Sequence, residues 1–162
     1  MLPFVKTLLI VYHTGGVKTA TMAEAVERGA CAALAEAEAQ DEVRVVRKRC
    51  AEAGPDDVLA ADGLVLATPE NFGYMSGMMK DFLERIFYAC EGKVEGRAWA
   101  VVVGAGQDGQ GAITSVERIV TGLRLRKVAE PVIGLKDLTP GVLARCEETG
   151  ATLAAGLAGG VF

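Results

Sequence analysis

Residues 8–20 have the sequence LLIVYHTGGVKTA, and this stretch is the strongest indication of the architecture. The run Leu8–Val11 is continuously apolar, which is typical of a strand buried on both faces of a parallel sheet. A loop of small and hydroxylated residues follows at once, and a helical pattern starts at about Thr19. A strand, a tight loop and a helix N-terminus in this order predict an anion site. The first N–H groups of a helix have no partner inside it, and the helix dipole favours negative charge there.

The residue types in this loop favour phosphate as the anion. Thr14 and Thr19 can add hydroxyl donors, and Lys18 can add a positive charge. The alternative is an ordinary strand-to-helix turn that a threonine caps. A P-loop nucleotide hydrolase is a weaker match, because Val17 stands where that motif needs a glycine and the upstream glycine is missing at the required spacing.

Strand and helix patterns alternate along the whole chain. The strand patterns cover Thr7–Tyr12, Val43–Val46, Gly63–Ala67, Ala98–Val103 and Pro131–Gly134. The helix patterns cover Thr19 to about Glu38, a brief segment after Pro55, Met75 or Ser76 to about Cys90, Ile113 to about Arg124, and Pro140 to about Leu157. Near-continuous apolar strands separated by helices predict an α/β fold with a doubly wound parallel sheet of about five strands and helices on both faces. We expect residues 1–162 to form a single domain.

Sheets of this kind bind ligands at the carboxyl ends of their strands. The loops that follow the first, third and fourth predicted strands are Tyr12–Thr19, Thr68–Gly77 and Gly104–Gly111. These three loops are also the most glycine-rich and least helix-like parts of the chain. We therefore expect them to form the binding site together.

The second loop, Thr68–Gly77, is longer than the 2–6 residues usual in such a connection. Pro69 stiffens its start, and Gly73 permits a positive φ or the close approach of a flat ligand. Phe72 and Tyr74 can lie against an aromatic ring system. The alternative is that both rings pack onto a neighbouring element of the protein.

The third loop contains the spacing GxGxxG at Gly104, Gly106 and Gly109. A dinucleotide-binding fingerprint needs this spacing in the first strand–helix unit, with an acidic residue roughly 20 positions later. Here the spacing follows the fourth predicted strand, so we reject a Rossmann dinucleotide site. A flexible loop that closes over the edge of a ligand ring is the better interpretation.

The three loops together resemble those of the flavodoxin-like NAD(P)H-dependent FMN reductase and quinone reductase family, which includes the WrbA-type flavoproteins. The resemblance is carried by Tyr12–Ala20, by Met22-Ala23 with Gly29-Ala30, and by Thr68–Arg85. The last string is the more specific, since the family shows a similar order of Phe-Gly, small-Gly, Met-Lys and Phe-Leu-acidic-Arg. The resemblance covers the first two-thirds of the chain well. It implies a flavodoxin-like five-stranded sheet in the order 2-1-3-4-5.

The resemblance further implies an FMN site built from these loops. Phosphate contacts would come from Thr14, Gly16, Lys18 and Thr19, isoalloxazine contacts from Thr68, Asn71, Phe72 and Gly73, and the other ring edge would meet Ala105 and Gly106. The whole candidate set is His13, Thr14, Gly15, Gly16, Val17, Lys18, Thr19, Thr68, Pro69, Glu70, Asn71, Phe72, Gly73, Tyr74, Ala105 and Gly106. Val17 departs from the family, which often has glycine there, and Asp108 and Gln110 stand where more glycine is common.

The activity implied is that of an NAD(P)H-dependent oxidoreductase that passes hydride through FMN to a quinone or similar acceptor. The chemistry belongs to the flavin, so no side chain is expected to be catalytic. His13 can assist beside the phosphate or serve a structural role. Two alternatives stay open: a flavodoxin-type electron carrier without turnover of its own, and a domain of the same fold that has lost the flavin, as Val17 would favour. The family also implies a homodimer or homotetramer.

Composition excludes several classes of protein. The net charge of −4 and the lack of interleaved basic and aromatic residues argue against nucleic-acid binding, and no apolar run is long enough to cross a membrane. Two short basic clusters, Arg44–Arg49 and Arg118–Lys127, indicate a solvated face or strand end, or else attract an anionic co-substrate. Four scattered cysteines and a single histidine predict no metal site and a cytoplasmic protein with reduced thiols.

Overall fold

The computed structural model describes residues 4–162. Its strands are β1 (Lys6–Tyr12), β2 (Val43–Arg49), β3 (Gly63–Asn71), β4 (Tyr74–Met75), β5 (Ala98–Ala105), β6 (Arg126–Lys127) and β7 (Val132–Leu135). Its helices are α1 (Lys18–Glu36), α2 (Pro55–Ala60), α3 (Gly77–Cys90), α4 (Gln110–Gly122) and α5 (Pro140–Ala158). None of these helices is long and apolar enough to span a bilayer.

The sheet has the order β2-β1-β3-β5-β6, with β7 also beside β5, and all of these pairings are parallel. Since β5 is the fourth predicted strand, this confirms the predicted order. The fifth strand position in the sheet differs from the prediction. It is shared by β6, which pairs with the start of β5, and β7, which pairs with its end. Pro131 lies between the two pieces and has no N–H to donate to a ladder.

Apolar layers cover both faces of the sheet. One buried cluster joins the sheet to α2, α3 and α4, and a second joins it to α1 and α5. Every residue of β5 is buried, which explains why its sequence has no polar alternation. The predicted doubly wound arrangement, with helices on both faces, is thus confirmed.

Helices α1 and α5 pack closely because glycines lie where they cross. A Cβ added at Gly29 would be 2.0 Å from the carbonyl oxygen of Glu147, and one added at Gly150 would be 1.9 Å from that of Val26. Only a residue without a side chain fits at either point. This close contact joins α1 to α5 within the core cluster that covers one face of the sheet.

Candidate functional site

The three loops expected to form the site meet at the carboxyl ends of β1, β3 and β5. They surround an open cleft of about 350 Å³, a size within the range of small-molecule sites. The cleft is lined by Thr14, Gly15, Gly16, Val17, Lys18, Thr19, Pro69, Asn71, Gly104, Ala105 and Gly106. The structure therefore brings together parts of all three loops.

The first loop ends at the N-terminus of α1, with Val17 in the capping position. No side chain caps the helix, so the alternative of a threonine-capped turn is wrong. The Thr14 hydroxyl instead donates to the carbonyl oxygen of Gly16 at 2.6 Å. The first turn of α1 has no acidic residue, and a Cβ at Gly15 or Gly16 would meet nothing within 4 Å. The helix terminus thus faces open space that suits an anion.

Lys18, the first residue of α1, directs its ammonium under the third loop. The Nζ atom donates to the carbonyl oxygen of Ala105 at 3.0 Å and to that of Gly134 at 3.5 Å. An ammonium has three donors, so at least one remains for a ligand. The lysine therefore ties the first loop to the third and leaves its positive charge in the wall of the cleft.

Gly104 at the end of β5 is a site residue that sequence reasoning missed. A Cβ there would be 2.8 Å from the hydroxyl oxygen of Thr19 and 3.1 Å from Cδ of Lys18. Thr19 itself is buried at the base of the cleft. Glycine at position 104 thus leaves room for the side chains of Lys18 and Thr19 beside the end of β5. The sequence did point to this residue, since Gly104 is the first residue of the third predicted loop.

The second loop, predicted as a long connection after a strand that ends at Ala67, contains a β-hairpin. Strand β3 continues to Asn71 and pairs in the antiparallel sense with β4, with Asn71 opposite Tyr74. The two residues between them, Phe72 and Gly73, have φ of +54° and +68°, the signs expected of a type I′ turn. The helix that follows begins at Gly77, close to its predicted start.

Phe72 at the tip of this hairpin is fully exposed, so it does not pack onto a neighbouring element as the alternative required. Tyr74 is partly exposed, at 44%. The tip itself is anchored, since a Cβ at Gly111 would be 1.8 Å from the carbonyl oxygen of Gly73. The hairpin therefore presents an aromatic ring to solvent beside the cleft.

Buried hydroxyls fix the base of the hairpin. The Oγ1 atom of Thr68 accepts from the backbone N–H of Ser76 at 3.0 Å and lies 3.2 Å from the Ser76 hydroxyl. The hydroxyl of Ser115 on α4 accepts from the N–H of Met75 at 3.1 Å. The Thr68 side chain is completely buried in this network and does not line the cleft. Its place is therefore beneath the site.

Glu70 joins the second loop to the third. One carboxylate oxygen accepts from the backbone N–H of Gln107 at 3.0 Å, and the other accepts from that of Gly109 at 2.9 Å. The family resemblance placed Glu70 in the candidate cofactor-binding set. In the structure both oxygens are used by the protein itself.

His13 is half-buried at the end of β1, and its backbone N–H donates to the carbonyl oxygen of Ala67 at 3.1 Å. Burial, together with the nearby Arg49 guanidinium, lowers the pKa of the His13 imidazole from its usual value. Its side chain does not line the cleft. The neutral form is therefore favoured beside the first loop.

The electrostatic character of the cleft is positive. Its lining contains one lysine and no acidic side chain. Several residues of the two basic clusters form ion pairs elsewhere: Arg47 with Glu27, Lys48 with Asp57, Arg124 with Glu95 and Lys127 with Glu117. Positive charge and helix N–H groups thus converge at the cleft, whereas the lining of a larger groove of about 570 Å³, between α3 and α4, carries both signs of charge.

Comparison with known families gives a match over most of the chain. The sequence model of the family "NADPH-dependent FMN reductase" matches residues 15–136. This range includes the second and third loops and most of the first. It agrees with the resemblance inferred from the loop sequences.

Two relatives match part of the chain. A flavodoxin from Aquifex aeolicus is 33% identical over 116 residues, which cover 72% of this chain and 59% of that protein. An NAD(P)H dehydrogenase (quinone) from Acidithiobacillus ferrooxidans is 36% identical over 73 residues, which cover 44% of this chain and 36% of that protein. The chain thus matches less than two-thirds of the length of either relative.

Solved structures share the fold. A flavodoxin from the domain Archaea superposes with a TM-score of 0.77 at 17% identity and covers 93% of this chain and 98% of its own. A WrbA-like flavodoxin from Agrobacterium tumefaciens gives a TM-score of 0.74 at 17% identity, covering 94% and 97%. The fold is accordingly flavodoxin-like.

Proposed function

Since the chain belongs to the NADPH-dependent FMN reductase family, we propose that it binds FMN and uses NAD(P)H to reduce a quinone or similar small acceptor. The observation that carries the proposal is the cleft itself. The N-terminus of α1 and Lys18 converge at one end of it, and its lining contains no carboxylate. The exposed ring of Phe72 lies beside it. Residues 1–162 would act as one FMN-binding domain.

The cleft fits the phosphate end of FMN. Gly15 and Gly16 leave open space before the first turn of α1, where the N–H groups can bind a dianion. Thr14, Lys18 and Thr19 line the same region. We propose that the first loop, from His13 to Thr19, holds the ribityl phosphate. Val17 would contribute its backbone and not its apolar side chain, since the residue is 80% exposed.

The remaining loops fit a flat ring system. Pro69 and Asn71 line one part of the cleft, and Ala105 and Gly106 line another. We propose that the isoalloxazine lies between these walls, with Phe72, Gly73 and Tyr74 beyond its edge. Thr68 and Glu70 support the walls through hydrogen bonds within the protein.

Bound FMN would supply the two-electron chemistry between NAD(P)H and the acceptor. The protein's part is to bind and orient. The cleft lining holds no acidic side chain, cysteine or histidine, so no group there is placed to transfer a proton except Lys18, whose ammonium is held by carbonyl oxygens. The open mouth of the cleft leaves access for a planar donor or acceptor.

A spectrum of the purified protein tests the cofactor. We expect flavin absorbance, or a rise in melting temperature on FMN titration of the cofactor-free protein. Steady oxidation of NADPH or NADH that depends on FMN and an added quinone would then establish the enzyme. Failure to bind FMN would instead support a domain that has lost the flavin.

A flavodoxin-type electron carrier is the second candidate, because the Aquifex aeolicus relative is a flavodoxin. A carrier docks through a strongly acidic face, and a net charge of −4 is modest for that purpose. Reduction of the bound flavin by a partner reductase, without NAD(P)H oxidation by the protein alone, would favour the carrier.

We further propose a cytoplasmic protein that forms a homodimer or homotetramer. The free cysteines, Cys31, Cys50, Cys90 and Cys146, support a reducing compartment. Self-association is supported by the groove between α3 and α4, where the exposed Tyr88 stands beside Lys80, Glu84 and Arg118. Both signs of charge on one face suit an isologous contact. Sedimentation that shows only monomer at micromolar concentration would contradict it.

A further inference from the structure

We propose that Glu70 is a positioning residue that holds the third loop against the β3–β4 hairpin and thereby sets the affinity of the cleft for its cofactor. The proposal rests on the proposed FMN site. Its basis is the pair of hydrogen bonds from Gln107 and Gly109, each to a different oxygen of the same carboxylate. Both N–H groups belong to a loop that is 37 and 39 residues away in sequence.

The geometry of β3 explains why this position carries a carboxylate. Side chains alternate along a strand, and Pro69 and Asn71, the neighbours of Glu70, line the cleft. Glu70 therefore directs its side chain away from these two and into the third loop. The same end of β3 forms one wall of the cleft and anchors the wall formed by the third loop.

The hydrogen bonds to Glu70 hold the third loop at Gln107 and Gly109, between contacts at its two ends. At its start, the carbonyl oxygen of Ala105 accepts from the backbone N–H of Lys136 and from the side-chain Nζ of Lys18. At its end, the N–H of Gln110 donates to Oδ1 of Asp108, a contact within the loop. Residues 106–108 are exposed. The carboxylate of Glu70 thus connects the exposed middle of the loop to a different element.

The bonds to Glu70 are of the strong kind. A carboxylate that accepts from backbone N–H groups forms charge-assisted hydrogen bonds. Because each oxygen accepts from a different N–H group, the carboxylate is held at two points of the loop at once. Ala105 and Gly106 line the cleft directly before the two bound N–H groups, so any movement of the loop changes the shape of that wall.

The test compares E70Q with E95Q, which removes the charge of a glutamate in an exposed ion pair with Arg124. In E70Q the amide has a single acceptor oxygen, and its NH₂ group faces a backbone donor. Amide hydrogen exchange is measured on the cofactor-free protein, and FMN affinity is measured by titration. We expect exchange at Gln107 and Gly109 to accelerate at least tenfold and the Kd for FMN to rise about tenfold.

The E95Q control is expected to leave both quantities within twofold of the wild type. E70D keeps the charge with a shorter side chain, so it should keep one of the two bonds and give an intermediate Kd. Unchanged exchange at Gln107 and Gly109 would overturn the proposal. So would faster exchange throughout the core, since that would show general destabilisation. If the wild type does not bind FMN, the proposed function and the affinity effect both fail, whereas the exchange result still decides whether Glu70 holds the loop.

Discussion

The ammonium of Lys18 donates to the carbonyl oxygen of Ala105 at 3.0 Å, so the first residue of α1 is tied to the last residue of β5. A second carbonyl, that of Gly134 on β7, lies 3.5 Å from the same nitrogen. The lysine thus joins three elements at the edge of the sheet where the cleft opens. The ammonium therefore both links these elements and places a positive charge in the wall of the cleft.

Replacing Lys18 with methionine should weaken FMN binding roughly tenfold to a hundredfold, the range expected when a charged hydrogen-bonding group is lost. The side chain keeps a similar length but loses its charge and donors. The dependence of the Kd on salt should also become smaller, because one positive charge is gone from the cleft. Fluorescence titration at two ionic strengths measures both effects. The control is K93M, which changes an exposed lysine on the connection before β5. Equal affinities in the two variants would contradict the prediction.

Replacing Gly104 with alanine should destabilise the protein by about 1–3 kcal/mol, the usual cost of overpacking. The added Cβ would be 2.8 Å from the Thr19 hydroxyl and 3.1 Å from Cδ of Lys18, so these side chains must shift. Urea unfolding gives the free energy, and FMN titration should show weaker binding. G106A is the matched control in the same loop, since a Cβ there meets nothing within 4 Å. If G106A is as destabilised as G104A, the close approach at Gly104 is not the cause.

Replacing Phe72 with asparagine should stabilise the fold by about 0.5–1 kcal/mol, because asparagine tolerates the positive φ of this position better than a bulky residue. The exposed ring loses no packing when it is removed. The affinity for FMN should fall by roughly twofold to tenfold, as expected for a lost aromatic contact.

The comparison for this change is F72A, which removes the ring without supplying a residue suited to positive φ. Its binding should fall as in F72N, and its stability should not rise. Thermal unfolding and FMN titration of both variants separate the two effects. Full affinity in both would show that the ring does not contact the cofactor.

The pKa of His13 should lie below the usual histidine value. Burial is the larger cause, and the Arg49 guanidinium is the second. Because the pKa is lower in the folded state than in the unfolded chain, the resulting stability is present above the unfolded pKa and is lost as pH falls through the folded pKa. The chain has one histidine, so NMR titration of its ring is unambiguous. In R49Q the pKa should move partway back upwards, and an unchanged value would exclude the influence of Arg49.

Much of the fold followed from local patterns. Continuous apolar strands and intervening helices predicted the doubly wound sheet, and the glycine-rich connections marked the edge where the cleft lies. The hairpin at Asn71–Tyr74 escaped prediction, because phenylalanine occupies a position where a type I′ turn normally has asparagine, aspartate or glycine. The split fifth strand also escaped prediction, since its first piece, Arg126–Lys127, is short and exposed.

Local sequence was sufficient for the positions of most strands and helices, the helix N-terminus beside the first loop and the small residues around the cleft, because each of these arises from hydrophobic periodicity or backbone conformation within a few positions. The order of the strands in the sheet was implied by the family resemblance and not by these local patterns. Only the tertiary structure decided which groups the individual side chains contact. Glu70 binds the third loop, Lys18 reaches two strand ends, and Gly104 accommodates Thr19. These contacts join residues separated by tens of positions, and their geometry exists only after the sheet has set the distances between its strands.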